Sequence, residues 1–123
     1  MAQSTSQRLQ NALKSFQTNT PDVEGIAVAS TDGLIMASIL PSEAEEDRVG
    51  AMCAALLSLG ERSADELDRG DIRQVFVKGA NGYVVLMNVG ADAVLIAITS
   101  EKVKLGLLFL ELRRTVEDLQ KIL

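Results

Sequence analysis

The residues that could do chemistry are few, and their spacing disperses them. No histidine occurs in the 123 residues, which removes the commonest general base and the commonest transition-metal ligand. With a single cysteine, Cys53, the chain lacks the thiolate and imidazole set that zinc prefers, so neither metal nor cofactor is expected. The glycine-rich piece Gly79-Ala80-Asn81-Gly82 is followed by no Gly-Lys-Ser/Thr and by no helix, as a phosphate loop requires, and it reads as a turn. Asp32 and Asp92 also fall in turn sequences, where aspartate bonds its own backbone. The carboxylate pairs Glu45/Glu46 and Glu117/Asp118 are adjacent on helical stretches and so do not share a face. Arg113-Arg114 offers an anion or partner contact, though exposed arginines on a helix commonly do no more than solvate it. The expectation is no catalytic residue and no enzyme.

Composition narrows the partners. With 47 % apolar and 24 % charged residues, the chain has the make-up of an ordinary globular protein, and its length suits one domain over residues 1–123. A net charge of −5 leaves no basic footprint for nucleic acid or an anionic membrane. Cys53 has no partner for an internal disulfide and sits among Met52, Ala54 and Leu56, which points to a buried thiol in a reducing, cytoplasmic setting. The opening MAQSTSQRLQ lacks the apolar core of a signal peptide. The weakly charged stretch from Gly79 to Ser100 is interrupted by Asn81, Gly82, Asn88, Gly90 and Asp92, which would be costly in hydrocarbon, so no membrane insertion is expected.

The elements that would carry such residues can be read from periodicity. From Ile72 to Thr99 three apolar runs, VFV, YVVLM and AVLIAI, are separated by Gly79-Ala80-Asn81-Gly82 and Gly90-Ala91-Asp92. Connections this short join only antiparallel neighbours, so the segment predicts a three-stranded meander. Alternation sends Tyr83, Val85, Met87 and Val89 one way and Val84 and Leu86 the other; Val94, Ile96 and Ile98 oppose Ala93, Leu95 and Ala97. Both faces are apolar, and helices must cover both. Upstream, residues 25–30 and 34–39 flank Thr31-Asp32-Gly33 and predict a hairpin, with Ala27, Ala29 and Ala37 small enough to let a helix lie close. From Ser4 to Thr18, Leu9, Ala12, Leu13 and Phe16 recur at helical spacing, and Pro21 ends that helix.

The middle helix is the unusual element. Ser42 and Glu45 are spaced as a capping box, and Gly70 is placed to terminate the helix after about Arg69. Its centre, Val49 to Gly60, carries no charge on any face, and a helix apolar all round must be buried all round. Val49, Met52, Cys53 and Leu56 are expected on the sheet. The small residues Gly50, Ala51, Ala54, Ala55 and Ser58 form the other side, and the expectation is that a second copy of the chain covers them. Residues 43–71 hold nine of the 17 acids and three of the 12 bases, so the flanks of this helix are strongly acidic. The final helix is expected from Glu101 to Leu123, capped by Thr99 or Ser100, with a seam of Leu105, Phe109, Leu112, Val116, Leu119 and Leu123 that Leu107, Leu108 and Leu110 widen.

The resulting fold class is α+β: three layers, a central five-stranded antiparallel sheet with helices on both faces, in the order α-β-β-α-β-β-β-α. That order, with GIAVASTDGLIMAS (25–38), VGAMCAALLSLGERSADEL (49–67), VFVKGANGYVVLMNVGADAVLIAI (75–98) and KLGLLFLELRR (104–114), resembles the Roadblock/LC7 family, a profilin-like fold, and in particular its prokaryotic MglB-type members. The resemblance covers about Leu9 to Leu119. It implies a homodimer in which the middle helices pair and the third strands, with Val75 and Val77 as edge residues, meet to make one continuous sheet. It also implies a partner, since members of the family bind small Ras-like GTPases as regulators, activators or scaffolds. It carries no residue-level signature for the GTPase contact, and no arginine finger falls on Arg73, Arg113 or Arg114. The competing reading is a small-ligand sensory module, which would require an enclosed cavity.

Overall fold

Eight elements follow one another in the expected order. The computed structural model describes residues 3–123, so Met1 and Ala2, part of the leader reading above, lie outside it. Helix α1 spans Thr5–Asn19, strands β1 and β2 span Val23–Ser30 and Ile35–Ile39, and helix α2 spans Glu46–Glu66. Strands β3, β4 and β5 span Gln74–Gly79, Gly82–Val89 and Ala93–Ser100, and helix α3 spans Leu105–Ile122. The sheet order is β2-β1-β5-β4-β3, antiparallel throughout, which puts β2 and β3 at the two edges.

The alternation read from the strands sorts the side chains into two cores. On one face Ile26, Val28, Val85, Leu95 and Ala97 meet Leu9, Leu13 and Phe16 of α1 and Leu108, Leu112 and Leu119 of α3. On the other, Ala27, Ala29, Leu86, Val94 and Ile96 meet Val49, Cys53 and Leu57 of α2. The small Ala27 and Ala29 lie under α2, where a larger residue would hold the helix away from the sheet. Each fully buried leucine of α3 contributes about 1.5–3 kcal/mol by leaving water. Buried polar groups are served locally: Thr20 Oγ1 donates to the Phe16 carbonyl at 2.6 Å and Thr115 Oγ1 to that of Glu111 at 2.9 Å.

The helix ends depart from the sequence reading. Helix α1 starts as expected, with Ser4 Oγ accepting from the Gln7 N–H at 3.1 Å. The capping box proposed at Ser42 does not form. Ser42 Oγ bonds Glu43 instead, α2 begins four residues later, and its N-cap Glu45 makes no side-chain cap bond. Pro41 to Ala44 form a turn, with the Ala44 N–H donating to the Pro41 carbonyl at 3.0 Å, which lifts the chain from the sheet edge onto its face. The C-terminus of α2 also falls short of Arg69. Asp68, at φ 56°, takes the left-handed position, while the Arg69 N–H bonds the Ala64 carbonyl and the Asp68 N–H bonds that of Asp65. That is the six-to-one and five-to-two pattern of a Schellman cap, closed by aspartate two residues before the expected Gly70.

Helix α3 is not capped by Thr99 or Ser100 either. Both belong to β5, where Ser100 pairs with Gly82, and Ser100 Oγ accepts from the Lys102 N–H in a turn that precedes the helix. In the hairpin between β3 and β4 the positive φ falls on Gly82 rather than on Asn81.

Candidate functional site

The middle helix is one-faced about the sheet, with a phase different from the one expected. Val49, Gly50, Cys53 and Leu57 turn inward and Leu56 is half-buried, whereas Met52, expected on the sheet, is 54 % exposed. Gly50 is not on the outer side. A Cβ there would collide with the carbonyl oxygen of Gly33 in the β1–β2 turn, so the helix and the hairpin tip touch backbone to backbone. Gly33 itself, at φ +94°, makes that turn possible. Ala54 is half-buried beside the same turn, its Cβ 3.3 Å from where a Cβ on Gly33 would stand. The outer stripe is therefore Ala51, Met52, Ala55, Ser58 and Leu59, all exposed, with Leu59 at 60 %.

Beside this stripe lies the open edge of the sheet. Near the C-terminal end of α2, Gly60 lets the helix sit against Ile72 and Val75. Val75 is half-buried there, while Val77, two residues on and facing the same side, is 39 % exposed. Strand β3 pairs only with β4, so the backbone groups on its outer side have no partner among the described residues. Of the seven residues expected to meet a second copy, the structure thus brings Ala51, Ala55, Ser58 and Val77 to the surface, holds Ala54 and Val75 half-covered, and uses Gly50 within the chain.

The opposite edge is partly occupied. Gln10 Nε2 of α1 donates to the Ser38 carbonyl of β2 at 3.0 Å, and Ser38 Oγ donates to Glu46 at the start of α2 at 2.7 Å. The Gln10 amide occupies one backbone acceptor of this edge strand, and the Ser38–Glu46 bond ties the strand to α2.

Titratable groups are arranged for structure. Burial pushes the Cys53 thiol up to about 11, so it stays protonated and unreactive at neutral pH. Glu111, buried on α3, is held by Arg114 at 3.2 Å. Among the described residues, no cluster of three His, Cys, Asp or Glu side chains could hold a metal ion, and no helix is long and apolar enough to cross a membrane. The hollows are surface clefts, such as one of about 220 Å³ between Thr20, Pro21, Val103 and Leu107.

Sequence reasoning missed Met52 and Leu59 as surface residues, as well as Leu107 and Leu110, which are 42 % and 44 % exposed on α3. It also missed Phe76, 39 % exposed on β3, whose ring lies 5.1 Å from that of Tyr83 and 6.0 Å from that of Phe109.

Comparison with known proteins agrees with the order of elements. The model of the Roadblock/LC7 domain matches residues 9–99. An uncharacterised protein of Methanocaldococcus jannaschii is 33 % identical over 101 residues, which is 82 % of this chain and 88 % of that protein. Among solved structures, MglB of Myxococcus xanthus superposes with a TM-score of 0.89 at 16 % identity, over 99 % of this chain and 92 % of the other. A Roadblock/LC7 domain from Streptomyces avermitilis does so with a TM-score of 0.86 at 20 % identity, over 91 % and 94 %. At such identities the structures establish the shared fold.

Proposed function

This chain belongs to the Roadblock/LC7 domain family, and from that premise we propose that residues 1–123 form one domain of a homodimeric, cytoplasmic regulator or scaffold that binds a small Ras-like GTPase and catalyses nothing by itself. One observation carries the reading. An apolar stripe, Ala51, Met52, Ala55 and Leu59, stands in solvent, and at its Leu59 end α2 reaches, through Gly60, the strand β3, whose outer edge has no partner among the described residues. Single exposed apolar residues are normal on a protein surface, but a helix stripe adjoining a free edge is a surface that a second protein would cover.

A second copy fits both features together. Antiparallel pairing of two β3 edges would satisfy the free backbone groups and bring the outer faces of the two α2 helices against one another. Gly50 then serves the subunit's own packing, and the set proposed to meet the partner copy is Ala51, Met52, Ala54, Ala55, Ser58 and Leu59 of α2 with Val75 and Val77 of β3. The family resemblance supports the GTPase partner, and the likeness in fold to MglB structures is in keeping with it.

The test has two steps. Light scattering gives the mass in solution, which should be twice that of the chain. The purified protein is then mixed with each Ras-like GTPase of its source genome, loaded with GDP or a GTP analogue, and complex formation and GTP turnover are followed. A stable monomer would remove the dimer, and failure to bind any of them in either nucleotide state would remove the GTPase.

A further inference from the structure

Which backbone groups of β3 are free follows from the hairpin it forms with β4. Opposed residues of an antiparallel pair alternate between those that exchange both hydrogen bonds and those that exchange none. Gly79 and Gly82 close a two-residue loop and are therefore a bonded pair, and Val77 with Val84 and Val75 with Leu86 are bonded in turn. Gln74, Phe76 and Lys78 belong to the alternate pairs, so their N–H and C=O groups point away from β4. Their side chains stand on the face away from α2, where the Phe76 ring lies near those of Tyr83 and Phe109 and is itself exposed. No residue of that face belongs to the subunit contact proposed above.

A second copy related by a twofold axis can join this edge in few registers. Opposed side chains must share a face, and a slip by one residue would turn each of them to the other side. Centring the pair on Phe76 sets it against itself, Gln74 against Lys78 and Val75 against Val77, so all three outward-facing residues find a bonded partner. Centring on Val77 sets Gln74 against Ala80, which lies in the turn. Centring on Val75 or Gln74 sets Lys78 or Phe76 against Ile72, whose carbonyl already accepts from Asn88 Nδ2 at 3.1 Å. Centring on Lys78 opposes two like charges, which destabilises a strand pair. The register on Phe76 also brings the two Phe76 Cα atoms to about 5.5 Å, so that their rings lie side by side and join the aromatic clusters of the two subunits.

Resting on the reading of a homodimer, we propose that the second copy joins β3 in this one register, with Phe76 opposite Phe76 on the twofold axis. The aromatic cluster is then a second subunit contact, on the sheet face opposite the paired α2 helices. Cysteine pairing reads the register, since a disulfide needs Cα atoms within about 7 Å and the native Cys53 is buried. On mild oxidation Phe76→Cys should give a cross-linked dimer. Val77→Cys should stay largely uncross-linked, because its two copies would lie diagonally, about 7–8 Å apart. The double variant Gln74→Cys with Lys78→Cys leaves Phe76 in place and should also cross-link between subunits. Separately, Phe76→Asp should raise the dissociation constant of the dimer about tenfold or more. Cross-linking of Val77→Cys in place of the other two, or of none while light scattering still reports a dimer, would overturn the register alone. Wild-type association in Phe76→Asp would overturn the aromatic contact. A wild type that is monomeric overturns the dimer and this inference together.

Discussion

The two edges of the sheet are managed in opposite ways. Strand β2 is five residues long, and its edge is met by the Gln10 side chain of α1 and tied through Ser38 to the first turn of α2. Strand β3 is six residues long and largely exposed, with Val77 and Phe76 presenting apolar surface on its two faces. A free strand edge is an aggregation hazard unless it is short, charged, covered or paired. One edge of this protein is partly occupied from within. The other has no partner among the described residues, and α2 reaches it where Gly60 meets Val75.

The contrast predicts that changes on the β3 side alter mass, whereas changes on the β2 side alter stability alone. The largest effect is expected from Ala55→Glu on the outer stripe. An unpaired charge forced into a dry helix contact costs several kcal/mol, so light scattering should report half the wild-type mass with the helical signal retained. Unchanged mass would break the comparison. Next comes Gly50→Ala, beside the β1–β2 turn. Helix propensity favours alanine by about 1 kcal/mol, but the new Cβ would meet the Gly33 carbonyl. Because that obstacle is backbone and cannot rotate away, a net loss of about 1–3 kcal/mol is expected in chemical denaturation, with mass unchanged.

Gln10→Ala should be milder, at about 1 kcal/mol, the net worth of one hydrogen bond. It sharpens the comparison if the mass by light scattering stays that of the wild type while the denaturation midpoint falls. The smallest effect concerns Cys53, buried beneath α2 between the two edges. A pKa raised from 9.0 to about 11 lowers the thiolate population about a hundredfold, so alkylation at pH 8 should be slow in the native protein and fast after unfolding. The sign for stability follows: the neutral thiol's contribution is whole below pH 9.0 and is lost as pH rises through about 11.

The strands were legible because alternation and turn residues specify them locally, and the register of β4 with β5 confirms the two faces read from Tyr83 to Ile98. The phase of α2 was not. With no charged residue between Val49 and Gly60, nothing in the sequence distinguishes the inward side, and the choice of Leu57 over Met52 is made by the shape of the sheet beneath. The leucine-rich start of α3 hid Leu107 and Leu110 for the same reason. Helix ends failed where tertiary structure overrode a local motif: Ser100 was drawn into the β5 ladder, and Asp68 closed α2 before Gly70 could. The contact between Gly33 and Gly50 joins residues far apart in the chain, and small size alone does not reveal it.

Helix α2 touches the tip of the first hairpin at Gly50 and the far strand at Gly60, so it crosses the sheet as a diagonal brace. A sheet braced in this way resists shear, since strands cannot slide past one another without bending the helix that spans them. The subunit then behaves as a stiff plate. What docks on it meets a preformed surface and forfeits little binding energy to reshaping it.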